Sequence, residues 1–198
     1  LRLAIKTGSS IKESIAFAYV ELGKLEMRES LEAAAIDFNL ALQVVPNYPT
    51  AMEGLGKVAF FNNNQKKALE YFNSAYNILP IVQYAVDIGD LYTASGENTK
   101  ATQYYTLASL AFDKSRQSGV NTDLEESLFL SDHGLDSAKA LEEARRAYSE
   151  RPSVYAADYL SVALYNTGAV TEARKARKLA RRLGETDPII LYQQELSA

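Results

Sequence analysis

Residues 51–80 read AMEGLGKVAFFNNNQKKALEYFNSAYNILP, and the positions of the glycines and of the proline in this stretch need an explanation. Gly54 and Gly56 lie inside a segment that otherwise has the composition of a helix. Pro80 closes the stretch, and Pro46 stands 34 residues before it. The letters GLGK allow two interpretations: a glycine-rich loop that binds phosphate, or a small-residue contact within a repeat. The rest of the chain decides between them.

One set of residues recurs at a nearly constant spacing. In residues 34–46 two alanines flank a phenylalanine and a proline ends the segment, and residues 68–80 repeat this arrangement 34 positions later. The set then returns after steps of 33, 39 and 33 residues. Its five copies are Ala34, Phe38, Ala41; Ala68, Phe72, Ala75; Ala101, Tyr105, Ala108; Ala140, Ala144, Ala147; and Ala173, Arg177, Ala180. A period of this length is the sequence signature of a helical repeat array.

Each copy spans positions i, i+4 and i+7, which lie on one face of a helix. A second helical segment precedes each copy, and turns rich in glycine or asparagine separate the two. Hardly any stretch alternates apolar and polar residues as a half-buried strand would. The sequence therefore predicts an all-α fold of about five helix–turn–helix units, in which small residues let neighbouring helices approach closely.

These residues resemble the tetratricopeptide repeat (TPR) family. The fullest match, in residues 49–82, comprises Leu55, Gly56, Ala59, Ala68, Phe72, Ala75 and Pro80. The resemblance covers about residues 11–185, and the closing repeats are similar to those of large bacterial TPR proteins. It implies an α-solenoid, a right-handed superhelix in which the first helix of each repeat lines a concave groove.

We expect a single repeat domain over residues 1–198. Its predicted repeats are about 11–47, 48–81, 82–118, 121–152 and 153–186, followed by a capping helix at 187–198. The 39-residue step places an insertion around residues 113–120, where the second helix of the third repeat is expected to overrun. Ala144 and Arg177 stand where the family has a large residue, so those two interfaces are expected to pack less tightly, or differently.

The period answers the question about GLGK. A phosphate-binding loop needs G-x-x-x-x-G-K-[ST] between a strand and a helix. In this chain the glycine spacing is different and Val58 follows Lys57. Gly56 is instead predicted to be the small residue that lets the adjacent helix approach.

Composition and motifs favour a folded protein without catalytic chemistry. Hydrophobic residues make up 47% of the chain and charged residues 23%. The chain has no cysteine, and His133 is its one histidine, so a zinc site or a catalytic triad would lack partners. The acid pairs Asp87/Asp90 and Glu125/Glu126 are interpreted as solvated helix faces. We therefore predict no enzyme activity, no catalytic residue, no metal, no cofactor and no small-molecule substrate.

The predicted function is a non-catalytic interaction scaffold that binds a peptide or protein segment in the concave groove. Aromatic residues can anchor such a segment, and carboxylates select basic ones. For any one of these aromatics, packing between repeats is an equal alternative. The groove candidates on the first helices are Lys24, Met27, Glu53, Lys57, Phe60, Phe61, Val86, Asp90, Glu125, Phe129, Tyr155, Asp158 and Tyr165.

Residues 174–182, RKARKLARR, carry six positive charges and no acid, in a chain whose net charge is −4. The simpler interpretation is a solvated second helix of the last repeat. The alternative function is an adaptor for an anionic surface, nucleic acid or acidic lipid, with Arg174, Lys178 and Arg181 as contact residues. The negative net charge disfavours nucleic acid as a partner.

The two ends of the sequence suggest an excised segment. The chain starts without methionine and its first Met is Met27, so we expect a soluble domain of a longer protein, with its compartment undetermined. Apolar residues near both ends, such as Ile189 and Ile190, make self-association through the repeat ends a third hypothesis.

Overall fold

The computed structural model describes residues 12–183. The chain divides into two compact units between Ala111 and Phe112, and the prediction of one continuous domain stays a prediction. Within the described range all regular structure is helical, with ten α-helices and no strand. The all-α prediction is therefore confirmed for residues 12–183. The predicted capping helix at 187–198 and the apolar ends lie outside the described residues.

The helices follow one another in pairs joined by short turns. Unit 1 contains α1 (Lys12–Glu26), α2 (Leu31–Val44), α3 (Pro49–Phe61), α4 (Gln65–Ile78), α5 (Val82–Ala94) and most of α6 (Asn98–Gln117). Unit 2 contains the end of α6, then α7 (Asp123–Asp132), α8 (Ser137–Glu150), α9 (Val154–Asn166) and α10 (Val170–Leu183). With 20 residues, α6 is the longest of these helices and extends into residues 113–117, as expected from the longer repeat step.

The turns within the pairs have a recurring chemistry. Within these turns four residues adopt a left-handed backbone: Asn63 (φ 57°), Gly96 (φ 76°), Gly134 (φ 60°) and Gly168 (φ 82°). Glycine and asparagine tolerate this conformation, which other residues rarely adopt. Side-chain oxygens of Asn64 and Asp136 then accept hydrogen bonds from the backbone N–H of Lys67 and Lys139 and so start α4 and α8.

In unit 1, aromatic rings of the second helices lie directly against glycines of the first helices. Phe38 of α2 is fully buried between Gly23 of α1 and Gly54 of α3. A methyl group at Gly54 would lie 2.4 Å from Cε1 of Phe38, closer than carbon atoms can approach. Gly54 therefore provides the space for an aromatic residue of the preceding repeat.

The same contact recurs within the next two pairs. A methyl group at Gly56 would lie 2.4 Å from Cε1 of Phe72, and one at Gly89 would lie 2.5 Å from Cε1 of Tyr105. The interpretation of Gly56 as a small-residue contact is thus confirmed. We call these three contacts the aromatic–glycine seams of unit 1.

Unit 2 fills the corresponding positions with other residues. Ser127 and Ser161, which stand seven residues before Gly134 and Gly168 as Gly56 does before Asn63, are 0% and 1% exposed. Ala144 of α8 is fully buried where Phe72 and Tyr105 lie in unit 1. The seam around Ala144 therefore packs differently from those of unit 1, as its sequence indicated.

Candidate functional site

The predicted groove residues lie on or directly after the first helix of each pair. We call the solvent-facing residues of α1, α3 and α5 the first-helix surface of unit 1. Those of α7 and α9 form the first-helix surface of unit 2. On α1, Lys24 is exposed and its ammonium lies 2.7 Å from the carboxylate of Glu21. Met27 packs against the apolar core that contains Phe38, and Val86 of α5 is half-buried. Lys24 is therefore the accessible candidate at this end of the surface.

Three charged residues connect α3 to α5, and we call them the α3–α5 charge cluster. The Nζ atom of Lys57 lies 2.5 Å from Oε1 of Glu53 and 3.7 Å from Oδ1 of Asp87. Gln83 Nε2 donates a hydrogen bond to the same Oδ1 of Asp87 at 3.0 Å. Asp87 is 7% exposed, and its Oδ2 accepts no hydrogen bond within the described part of the chain. The cluster therefore holds one carboxylate that is buried and incompletely paired.

Burial determines how this cluster titrates. Burial raises the pKa of Asp87 to about 6, against the lowering effect of Lys57. Burial lowers the pKa of Lys57, but Asp87 and Glu53 outweigh it and the net shift of that pKa is upward. Lys57 is thus charged at neutral pH, and Asp87 changes its charge near pH 6. The expectation that Asp87 lies on a solvated helix face is wrong.

The aromatic and acidic candidates of unit 1 differ in their accessibility. Phe60 is half-buried against the core formed by Phe72 and Ile88, whereas Phe61 is 58% exposed. Their ring centroids are 5.6 Å apart. Asp90 is exposed, and its Oδ1 accepts a hydrogen bond from the hydroxyl of Tyr105 at 2.8 Å. Of the aromatic candidates of unit 1, Phe61 is therefore the exposed one, and the hydroxyl of Tyr105 fixes the carboxylate of Asp90.

In unit 2, three of the five candidates face solvent. Glu125 is exposed, and Tyr155 and Tyr165 are 39% and 66% exposed. Phe129 and Asp158 are only 5% and 3% exposed. The expectation that Phe129 and Asp158 face outward is wrong, because both side chains lie inside the unit.

Phe129 is a packing residue. Its ring centroid lies 5.6 Å from that of Phe112 and 5.0 Å from the ring of His133. His133 follows the last residue of α7, and its Nδ1 lies 2.7 Å from the carbonyl oxygen of Phe129. The structure thus places His133 at a helix end.

The exposed charges on the first-helix surface of unit 2 are carboxylates. Burial raises the pKa of Asp158, and the charge of Arg177 opposes that shift. Burial also raises the pKa of Tyr159, and the charges of Asp158, Asp132 and Glu125 add to it. Two of these carboxylates, Asp132 and Glu125, are exposed.

A charge network that the sequence did not predict joins α6, α7 and α8. Arg116 of α6 contacts Glu126 of α7 and lies 3.2 Å from Glu143 of α8. Lys139 Nζ lies 2.7 Å from Oε1 of Glu126. Glu126 is fully buried, so the expectation of a solvated helix face is wrong for this residue too.

Arg146 extends the network. Its Nε donates to Oδ2 of Asp123 at 2.6 Å, and its Nη2 contacts Glu143. Burial raises the pKa of Asp123, but hydrogen bonds from Arg146 and Glu143 outweigh it and the net shift of that pKa is downward. Burial raises the pKa of Glu143. We call Arg116, Asp123, Glu126, Lys139, Glu143 and Arg146 the α6–α8 charge network.

The basic candidates lie on α10. Arg174, Lys178 and Arg181 are exposed, and the alanines Ala173 and Ala180 of the same helix are buried at 5% and 0% exposure. The helix therefore packs through its alanines and presents these three cations to solvent.

Residues 12–183 contain no candidate for a metal site or a membrane-spanning helix. No group of three or more His, Cys, Asp or Glu side chains among residues 12–183 is arranged to hold a metal ion. None of the helices in that range is both long and apolar enough to cross a membrane.

Comparisons with known proteins identify the fold. No family model matches the chain, and no curated protein matches it. Among solved structures, a thermophilic TPR protein from Thermus thermophilus matches with a TM-score of 0.65 and 19% identity, over 90% of this chain and 96% of that one.

Two further structures agree. PilF of Pseudomonas aeruginosa matches with a TM-score of 0.57 and 19% identity, over 87% of this chain and 78% of that one. A chain of the APC/C hetero-tetramer Cut9–Hcn1 matches with a TM-score of 0.58 and 14% identity, over 88% of this chain and 34% of that one. The resemblance read from the sequence is confirmed at the level of structure: the chain has the helical-repeat fold of TPR proteins.

Proposed function

We propose that the protein is a non-catalytic interaction scaffold that binds a peptide or protein segment through its first-helix surfaces. The observation that carries this proposal is the exposure of large aromatic side chains on first helices, Phe61 on α3 and Tyr165 on α9. Exposed aromatic rings with few rotatable bonds are the usual anchors of protein interfaces. One protein that shares the fold is part of a hetero-tetramer, which supports the same class of function.

The charges around each anchor indicate what kind of segment would fit. In unit 1, Phe61 shares its surface with Lys57, Glu53 and Asp90, which offer charges of both signs. In unit 2, Tyr155 and Tyr165 share theirs with Glu125 and Asp132. We propose that the first-helix surface of unit 2 selects a segment with both basic and apolar side chains, since the exposed charges of that surface, Glu125 and Asp132, are carboxylates.

The test begins with selection of peptides from a displayed random library on the full chain. The affinity of a selected peptide is then measured by fluorescence anisotropy for the wild type and for Phe61→Ala and Tyr165→Ala. We expect at least one of these changes to weaken binding roughly tenfold or more, as truncation of an interface anchor does.

Leu110→Ala is the matched control, because Leu110 is 59% exposed but lies on the second helix α6. We expect this change to leave the affinity within about twofold of the wild type, as truncations outside an interface do. Equal losses for Leu110→Ala and for both first-helix variants would contradict the proposed surface.

A further inference from the structure

Two second helices of unit 1, α2 and α4, share a face that packs against a core to which the following helix contributes. In α4 this face holds the residues one, five and eight positions after the buried Ala68, namely Leu69, Asn73 and Tyr76. Leu69 and Tyr76 pack against the core that includes Ile88 and Leu91 of the following helix α5. We call these three positions the outgoing face of a second helix.

The outgoing face of α2 behaves in the same way. Ala35 and Leu42, one and eight positions after Ala34, pack against the core that includes Leu55 and Val58 of α3. In α2 and α4 the outgoing face is therefore where the next helix packs.

In unit 2 the middle position of this face forms an ion pair. Arg145 of α8 lies five residues after the buried Ala140, and its Nη2 donates to Oε2 of Glu172 on α10 at 3.0 Å. A cation at the middle position of an outgoing face can thus pair with a carboxylate of the next second helix.

On α10, all three positions of the outgoing face are basic. They follow the buried Ala173 and are occupied by Arg174, Lys178 and Arg181. All three side chains are exposed, and none of them forms an ion pair with a residue in the range 12–183. The face has the position of a helix-packing surface, but its three residues are cations.

We propose that the outgoing face of α10 docks an acidic α-helical segment of another protein. Arg174 and Arg181 stand at the same positions of their helix as the residues of α2 and α4 that pack against the next helix, and Lys178 stands between them. The pair between Arg145 and Glu172 shows that a cation on an outgoing face can reach a carboxylate on a neighbouring helix. Three cations at spacings of four and three residues match carboxylates placed along one face of a partner helix. This surface is distinct from the first-helix surfaces, so either of the two proposals can be wrong without the other.

The same observations favour a protein over a lipid surface or nucleic acid. A helix that lies in a membrane interface needs apolar side chains to insert, and on α10 the alanines Ala173 and Ala180 are buried. No aromatic residue lies in residues 174–182 to stack on a base. The interaction that this face can still offer is ion pairing with the carboxylates of a folded protein segment.

The experiment uses two labelled helical peptides of about 20 residues with equal numbers of glutamates on an alanine-rich sequence. One peptide has its glutamates along a single face, and the other has them distributed around the helix. Binding to the full chain is measured by fluorescence anisotropy at about 0.15 M salt, where distant charges are screened. We expect the one-face peptide to bind roughly tenfold more tightly, because about three exposed ion pairs distinguish the two complexes.

Charge reversal tests the three residues directly. The triple variant Arg174→Glu, Lys178→Glu, Arg181→Glu is expected to lose binding of the one-face peptide and to bind a matching peptide with lysines on one face. The matched control reverses three exposed cations elsewhere, Lys66→Glu, Lys114→Glu and Arg151→Glu, and is expected to keep the original preference. Circular dichroism of both variants verifies that the helices are retained.

Other occupants of the face are outcomes of the same experiment, and each would overturn the proposal. One is tighter binding to vesicles with anionic lipid or to a DNA duplex than to the one-face peptide. Another is equal binding of the two acidic peptides, or no binding of either by the wild type. A third is binding that occurs only after Glu185, Asp187 and Glu195 are changed to their amides. That result would mean that acids of the same chain compete with the peptide for the face in the wild type.

Discussion

Unit 1 and unit 2 contain the same succession of helix pairs but join their helices with different chemistry. In unit 1, Phe38 and Phe72 fill the space left by facing glycines. In unit 2, serine and alanine take the equivalent positions, and α6, α7 and α8 are joined by buried carboxylates paired with arginine and lysine. The same arrangement of helix pairs can therefore be held together by apolar contacts or by ion pairs between the helices. The two should respond differently to mutation, pH and salt.

The largest expected effect is on an aromatic–glycine seam. Phe38→Ala removes a fully buried ring between two helix pairs, and we expect a loss of about 3–5 kcal/mol in the free energy of unfolding of unit 1. Urea-dependent hydrogen exchange, read by mass spectrometry over α1–α3, measures this loss. Ile36→Ala on the same helix is the control, because Ile36 is 57% exposed, and a similar loss there would contradict the seam.

The second effect is a pH dependence within unit 1. The pKa of Asp87, about 6 in the folded chain, lies above the ordinary value of 3.8, so the folded state binds this proton more tightly than the unfolded state. The contribution of Asp87 to the free energy of unfolding therefore rises as the pH falls from about 7.5 to about 4.5, by roughly 2 kcal/mol. Hydrogen exchange over α3–α5 at both pH values, compared with Asp87→Asn, isolates this contribution. Parallel pH profiles for the two proteins would show that Asp87 titrates normally.

A third, smaller effect is expected in the α6–α8 charge network. Arg116→Met removes a partner of two buried carboxylates but leaves Lys139 on Glu126 and Arg146 on Glu143. We therefore expect a loss of about 1–2 kcal/mol in unit 2, below the cost of an entirely unpaired buried charge. The loss should shrink at high salt. Lys114→Met, an exposed cation on the same helix, is the control and should change stability little.

The smallest effect is expected at the one seam of unit 1 with a polar group. The hydroxyl of Tyr105 lies 2.9 Å from Oγ1 of Thr93 and donates to Asp90. Tyr105→Phe keeps the ring against Gly89 and removes only the hydroxyl, so a loss of about 1 kcal/mol is expected. Burial raises the pKa of Tyr105 to about 12, so the wild type should show no titration of this hydroxyl below about pH 10, the ordinary tyrosine pKa, in ultraviolet difference spectra.

The repeat could be predicted from the sequence because its evidence is local and recurs. Gly56, Phe72 and the turn at Asn63 stand at fixed offsets, and each recurrence strengthens the interpretation of the others. Gly54 was visible as an anomaly, but its reason lies in Phe38 of the preceding repeat. That contact could be found only by placing two repeats together.

The charged residues were harder to place, because burial depends on neighbours that are distant in sequence. Asp87 and Glu126 stand on helices with other acids and read as solvent-facing. Asp87 is buried beside Lys57, 30 positions away, and Glu126 beside Lys139 of the next helix. Residues 114–146 contain five arginines and lysines among seven acids, but which of them pair could be learned only from the fold. Phe129 and Asp158 were misplaced for the same reason.

The most direct test of the contrast between the units is hydrogen exchange of the full chain at about 0.05 M and about 1 M sodium chloride, where the range of electrostatic interactions falls to about 3 Å. We predict that amides of α7 and α8 lose protection at high salt, whereas amides of α2–α4 keep theirs or gain slightly as salt strengthens apolar packing. Equal changes in both units, or a loss confined to α2–α4, would contradict it.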